Sequence, residues 1–158
     1  MKVSGAGRRL ILLAVLAALL ETVAGTDLTL VYLLDTVGQP KSNLAGLVPI
    51  MVIGPLPFLV TAVLLASVIR RRLREPGPLT RRTVVEVRVV SGLGLPIMIV
   101  GGYWSGLLAA LLGFYQGSPA AVPLTIYAFS FLAAIIVDGI TLVAALLHRP
   151  EELTRQQR

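Results

Sequence analysis

The stretch RRRLREPGPLTRRTVVEVR, residues 70–88, carries seven arginines and divides two long apolar runs. Before it stands Leu44–Ile69, 26 residues without a formal charge. After it, Val89–Tyr115 is equally uncharged. The pattern repeats outward. Lys2, Arg8 and Arg9 precede the run Leu10–Leu34, and Arg149, Arg155 and Arg158 follow the run Ala120–Leu147. Thirteen of the 14 basic residues thus fall in three segments separated by even numbers of apolar runs, with Lys41 the exception. Lys and Arg stay on the cytoplasmic side because carrying them across a bilayer is unfavourable. Each run exceeds the roughly 20 residues a helix needs to cross about 30 Å of hydrocarbon. An open sheet would leave backbone groups unpaired in lipid.

The expected fold is therefore an all-α integral membrane protein, one domain over 1–158. It is a four-transmembrane-helix bundle with N and C termini cytoplasmic. The spans are about 10–34, 44–69, 89–115 and 120–147, with a basic cytoplasmic loop at 70–88 and a polar tail at 149–158. The expected location is a bacterial cytoplasmic (inner) membrane, with multiple passes. A competing reading takes Lys2, Arg8–Arg9, Leu10–Leu20 and Thr22-Val23-Ala24 as a signal peptide cleaved after Ala24. An uncleaved helix is the preferred one.

Composition agrees. The chain has 158 residues, 56% of them hydrophobic and 14% charged, with a mean hydropathy of +0.86. Soluble domains carry about a quarter charged residues. The net charge of +6 follows from topology and requires no nucleic acid. There is no cysteine and a single histidine, His148. Disulfides, thiolate metal sites, bis-histidine haem and the usual zinc sites are excluded. No GxxxxGK[ST], HExxH or GxSxG occurs. A non-enzyme without a cofactor is the expectation.

Between the runs, Gly38-Gln39-Pro40 and Gln116-Gly117-Ser118-Pro119 read as external turns and Pro76-Gly77-Pro78 as a break. Arg82 and Glu86 are four apart and can pair if Thr80–Val90 is helical. This piece reads either as an interfacial segment or as a plain extension of the third span. Gly102, Gly106, Gly113 and Gly117 form GxxxG pairs along the third span, a smooth face for close helix packing within or between chains. Gly54-Pro55-Leu56-Pro57 and Gly92-Leu93-Gly94-Leu95-Pro96 interrupt two spans, as kinks or as the broken helices of transporters. Arg70, Arg71, Arg72 and Arg74 border the inner leaflet and should attract anionic lipid head groups.

Glu21 and Asp138 lie inside the first and fourth spans with no Lys or Arg in the central part of any span. A carboxylate at mid-bilayer costs about 2.5–3.5 kcal/mol on insertion scales. Each must therefore be protonated, hydrated in a cavity, or paired with something outside this chain. Glu21 could instead simply hydrogen-bond to Thr22, Thr125 or a tyrosine. Tyr103 and Trp104 fall mid-span and are expected to face protein.

Glu21, Gly25-Thr26 and Trp104-Ser105-Gly106 stand in the order and on the spans of a short pattern that resembles the small multidrug resistance transporters. The Glu-to-Gly spacing is one residue longer here, and the cytoplasmic loop is far longer. The resemblance implies a proton and substrate site at Glu21 and a cavity wall at Trp104.

Two functions follow as expectations. One is a non-catalytic accessory or assembly subunit of a larger membrane complex. The other is a small proton-coupled transporter or channel, self-associating, with Glu21 and Asp138 exchanging protons.

Overall fold

The computed structural model describes residues 5–36, 53–74, 79–111 and 121–148. Among them are four long helices: α1 (Gly5–Thr36), α2 (Leu56–Arg74), α3 (Arg81–Leu111) and α4 (Ala121–Leu147). They run up and down in a ring, α1 against α2 and α4, and α3 against α2 and α4. The α1–α4 interface is the most extensive.

The bundle is inverted relative to a soluble one. Large apolar side chains such as Leu19, Leu33, Phe129 and Val143 point outward, while Glu21, Ser91, Asp138 and Thr141 are buried. Apolar surface of this extent is stable only against lipid. Among the described residues three stretches are long and apolar enough to cross a membrane: Gly5–Leu34, Arg81–Ser105 and Ala121–Leu147. The chain is thus a helical membrane protein.

The boundaries differ from the sequence expectation at the arginine-rich stretch. Residues 70–88 are not a loop throughout: α2 continues through Arg74, and α3 starts at Arg81. Helix propensity explains this, since arginine is a good helix former. The α3 start is capped, Thr83 N donating to Thr80 Oγ1 at 3.3 Å. Thr80–Val90 therefore extends the third helix, and the Arg82–Glu86 pair forms at 2.9 Å, joined by Arg71 at 3.0 Å. The second span was expected over 44–69. Within it Gly54-Pro55 forms a turn, at the interruption read from the sequence, and α2 opens at Leu56. Pro57 sits in its first turn, where a missing amide costs nothing. Residues 44–52 lie outside the described residues, as do Gly113, Gly117 and the tail 149–158. Pro96 lies within α3, which continues past it as helix.

Packing is layered. Leu10, Val68, Leu79, Val84, Val87 and Ala145 cluster at the arginine-bearing end. Ala17, Ala18 and Leu65 form a middle layer. Leu28, Tyr32, Phe58, Met98, Leu124 and Tyr127 belong to the far layer. Phe58 reaches across the bundle from α2, its ring 6.2 Å from that of Tyr127 and 5.8 Å from that of Phe131 on α4.

Arg88 on α3 closes the C-terminus of α4. Its Nε donates to Ala145 O at 2.8 Å, and its Nη2 to Leu146 O at 3.3 Å and His148 O at 3.1 Å. A guanidinium there satisfies orphan carbonyls and complements the helix dipole. Arg88→Leu is expected to cost about 2 kcal/mol. It should also speed amide exchange in the last turn of α4, measured by deuterium uptake.

Candidate functional site

The centre of the bundle holds one polar side chain from each helix. Glu21 comes from α1, Thr61 from α2, Ser91 from α3 and Asp138 from α4. Glu21 and Asp138 are both 0% exposed. Their carboxyl groups are close enough to interact electrostatically, with Thr61 beside Glu21 and Ser91 beside Asp138. None of the four carboxyl oxygens closes a hydrogen bond, and neither does Ser91 Oγ.

Local structure explains the arrangement. The two helices of the broadest interface bury small residues, Ala14, Ala17 and Ala24 on α1 and Ala134 and Ala145 on α4. Two bulky acids can then meet between them. Thr61 Oγ1 donates to Pro57 O at 2.7 Å, so its lone pairs remain to accept a proton donor. Thr141, one turn beyond Asp138, spends its hydroxyl on Val137 O at 2.7 Å. The expected alternatives for Glu21 do not form: Thr22 and Thr125 bond to carbonyls on their own helices.

The site is closed on both sides. Toward the arginine-bearing end, Leu65, Val87 and Leu10 fill the interior. Toward the other end, Leu28, Phe58 and Leu124 do so. The same layer carries a second polar group. Tyr127 Oη donates to Gly102 O at 2.9 Å, Ser105 is beside Tyr32, and Asp27 Oδ2 and Tyr32 Oη have no partner.

The structure brings Glu21 and Asp138 together but not Tyr103 and Trp104. These two were expected to face protein, and the family resemblance made Trp104 a cavity wall. They are 62% and 58% exposed and point away from the bundle, their rings edge-on at 6.3 Å. The reason is helical phase: Gly102 and Ser105, flanking them, take the inward face of α3. Gly102 is packed within the chain, since a Cβ there would overlap Phe131 and Phe58. Gly106 belongs to α3, and its surroundings lie outside the described residues.

Arg70, Arg71, Arg72 and Arg74 stand at the end of α2, in the same layer as the α1 start and the α4 end. Thr61, Ser91 and Arg88 were not singled out in the sequence. Hydroxyl residues are frequent in membrane helices and carry no signal by themselves. For Arg88 the acceptors are backbone carbonyls, which leave no trace in side-chain pattern. Among the described residues no group of three or more His, Asp or Glu side chains converges as a metal site would require. The chain matches no family model, no curated protein and no solved structure.

Proposed function

We propose that this protein is a small proton-coupled carrier of a bacterial cytoplasmic membrane. Four helices cross the bilayer, and the arginine-bearing end and both termini face the cytoplasm. The observation that carries the reading is the buried pair Glu21–Asp138, with all four oxygens unpartnered, set between the hydroxyls of Thr61 and Ser91. Two carboxyl groups facing each other without a cation cannot both stay charged at low cost, and sharing one proton relieves the repulsion. A protonated Glu21 finds an acceptor in Thr61, and an ionised Asp138 a donor in Ser91. The apolar layers above and below give the pair the character of an occluded state, in which a proton or its replacement is held away from both aqueous faces. Intramembrane acids of this kind mark proton and ion pathways.

The test is flux. Purified protein in liposomes loaded with a pH-sensitive dye is expected to dissipate an imposed pH gradient faster than empty liposomes. Glu21→Gln and Asp138→Asn should each lower that rate at least tenfold with helix content unchanged. Wild-type rates in both variants, or no rate above empty liposomes for the native chain, overturn the proposal. A second reading, an accessory subunit of a larger membrane complex, has one observation in its favour. α3 presents Tyr103 and Trp104 outward as an aromatic edge on which another helix could pack.

A further inference from the structure

A groove of about 290 Å³ runs along the outer surface between α1 and α2. Leu19, Thr22, Ala62, Ala66 and Leu73 line it, and Arg70 stands at the same end as Leu73. Thr22 spends its hydroxyl on Ala18 O at 2.7 Å, so the wall is apolar until Arg70 is reached. The groove exists because small residues, Ala18, Ala62 and Ala66, meet between the larger Leu19, Ile69 and Leu73. From Ala62 to Leu73 is a helical rise of about 16 Å at about 1.5 Å per residue. That is close to half of the roughly 30 Å hydrocarbon thickness, the depth of one leaflet. Arg70 is exposed and makes no ion pair among the described residues, unlike Arg71, which holds Glu86.

We infer that this groove is a binding site for one anionic phospholipid of the leaflet at the arginine-bearing end. One acyl chain lies along Leu19, Ala62 and Ala66, and the phosphate accepts hydrogen bonds from the Arg70 guanidinium. Guanidinium and phosphate match in charge and in geometry, each N–H of the fork facing one oxygen. The one-leaflet length excludes a docked transmembrane helix, which would need a groove through both leaflets. A zwitterionic lipid offers the same chain with no net charge for Arg70. The site is independent of the Glu21–Asp138 pair, which lies inside the bundle.

Native mass spectrometry of the purified protein tests it, with phosphatidylglycerol and phosphatidylcholine of identical chains and with glycerol phosphate alone. One phosphatidylglycerol per chain should survive collisional activation that strips phosphatidylcholine, and glycerol phosphate should not be retained. Arg70→Gln, at an exposed position, is expected to lower phosphatidylglycerol retention about fivefold, the worth of one cation near an anionic surface. Ala66→Phe, which fills the groove from its exposed edge, should abolish retention, whereas Leu64→Phe on the neighbouring outward face should not. Equal retention of the two lipids, or native retention in Arg70→Gln, overturns the site even if Ala66→Phe fails to fold. Retention of glycerol phosphate would reduce it to a phosphate site without a chain and overturn the lipid assignment.

Discussion

Glu21→Met is expected to make the purified protein more stable, by about 2 kcal/mol, while removing its proton exchange. The native carboxyl is fully enclosed and its oxygens meet no donor. A buried polar group without a partner costs about 1–3 kcal/mol. Methionine has a similar length and adapts to irregular space, so the exchange removes that cost and adds little strain. Proteins keep such unfavourable groups where function requires them, and stabilising replacements there come at the expense of activity. The measurement is the midpoint of unfolding in mixed micelles beside the proton flux. A lower midpoint would mean that Glu21 has a structural partner, and it would remove the energetic argument for the carrier.

The largest loss of stability is expected from Gly102→Leu. At Gly102, α3 passes directly over the rings of Phe58 and Phe131, and even a Cβ would overlap both. The same backbone carbonyl accepts the Tyr127 hydroxyl at 2.9 Å. A leucine must push α3 away from α2 and α4, breaking that bond and opening the aromatic layer. Overpacking typically costs 1–3 kcal/mol, and two rigid rings put this site at about 3 kcal/mol or above. Gly139 is the control. Nothing lies within 4 Å of a Cβ there, so Gly139→Ala should be neutral or gain up to about 1 kcal/mol from helix propensity. Equal effects at the two positions would mean that Gly102 is not a packing glycine.

How much of this was legible in the chain varies by level. The helical membrane character follows from long apolar runs punctuated by arginine, and α4 begins and ends within a residue of the expected 120–147. Around the arginine-rich stretch the helices run past the apolar runs, because hydropathy marks where charge begins, not where helix ends. Arg70–Arg74 and Arg81–Arg88 are charged and helical at once. The partnership of Glu21 with Asp138 was not readable, because it depends on how α1 and α4 rotate about their axes. Both helices are apolar on nearly every side, so their pattern leaves that rotation open. The same indeterminacy sent Tyr103 and Trp104 inward in the sequence reading when Gly102 and Ser105 occupy that face.

The Arg88 strap places an uneven constraint on variation in this chain. Its acceptors are peptide oxygens at Ala145, Leu146 and His148, so as far as the strap is concerned the side chains of Leu146 and His148 are free to change. The donor side has no such freedom. A lysine ammonium is a single point of charge and cannot spread over three acceptors as a planar fork does. Drift among relatives should therefore be wide at residues 146–148 and narrow at residue 88, a signature opposite to what an arginine in the first turns of a helix would lead one to anticipate.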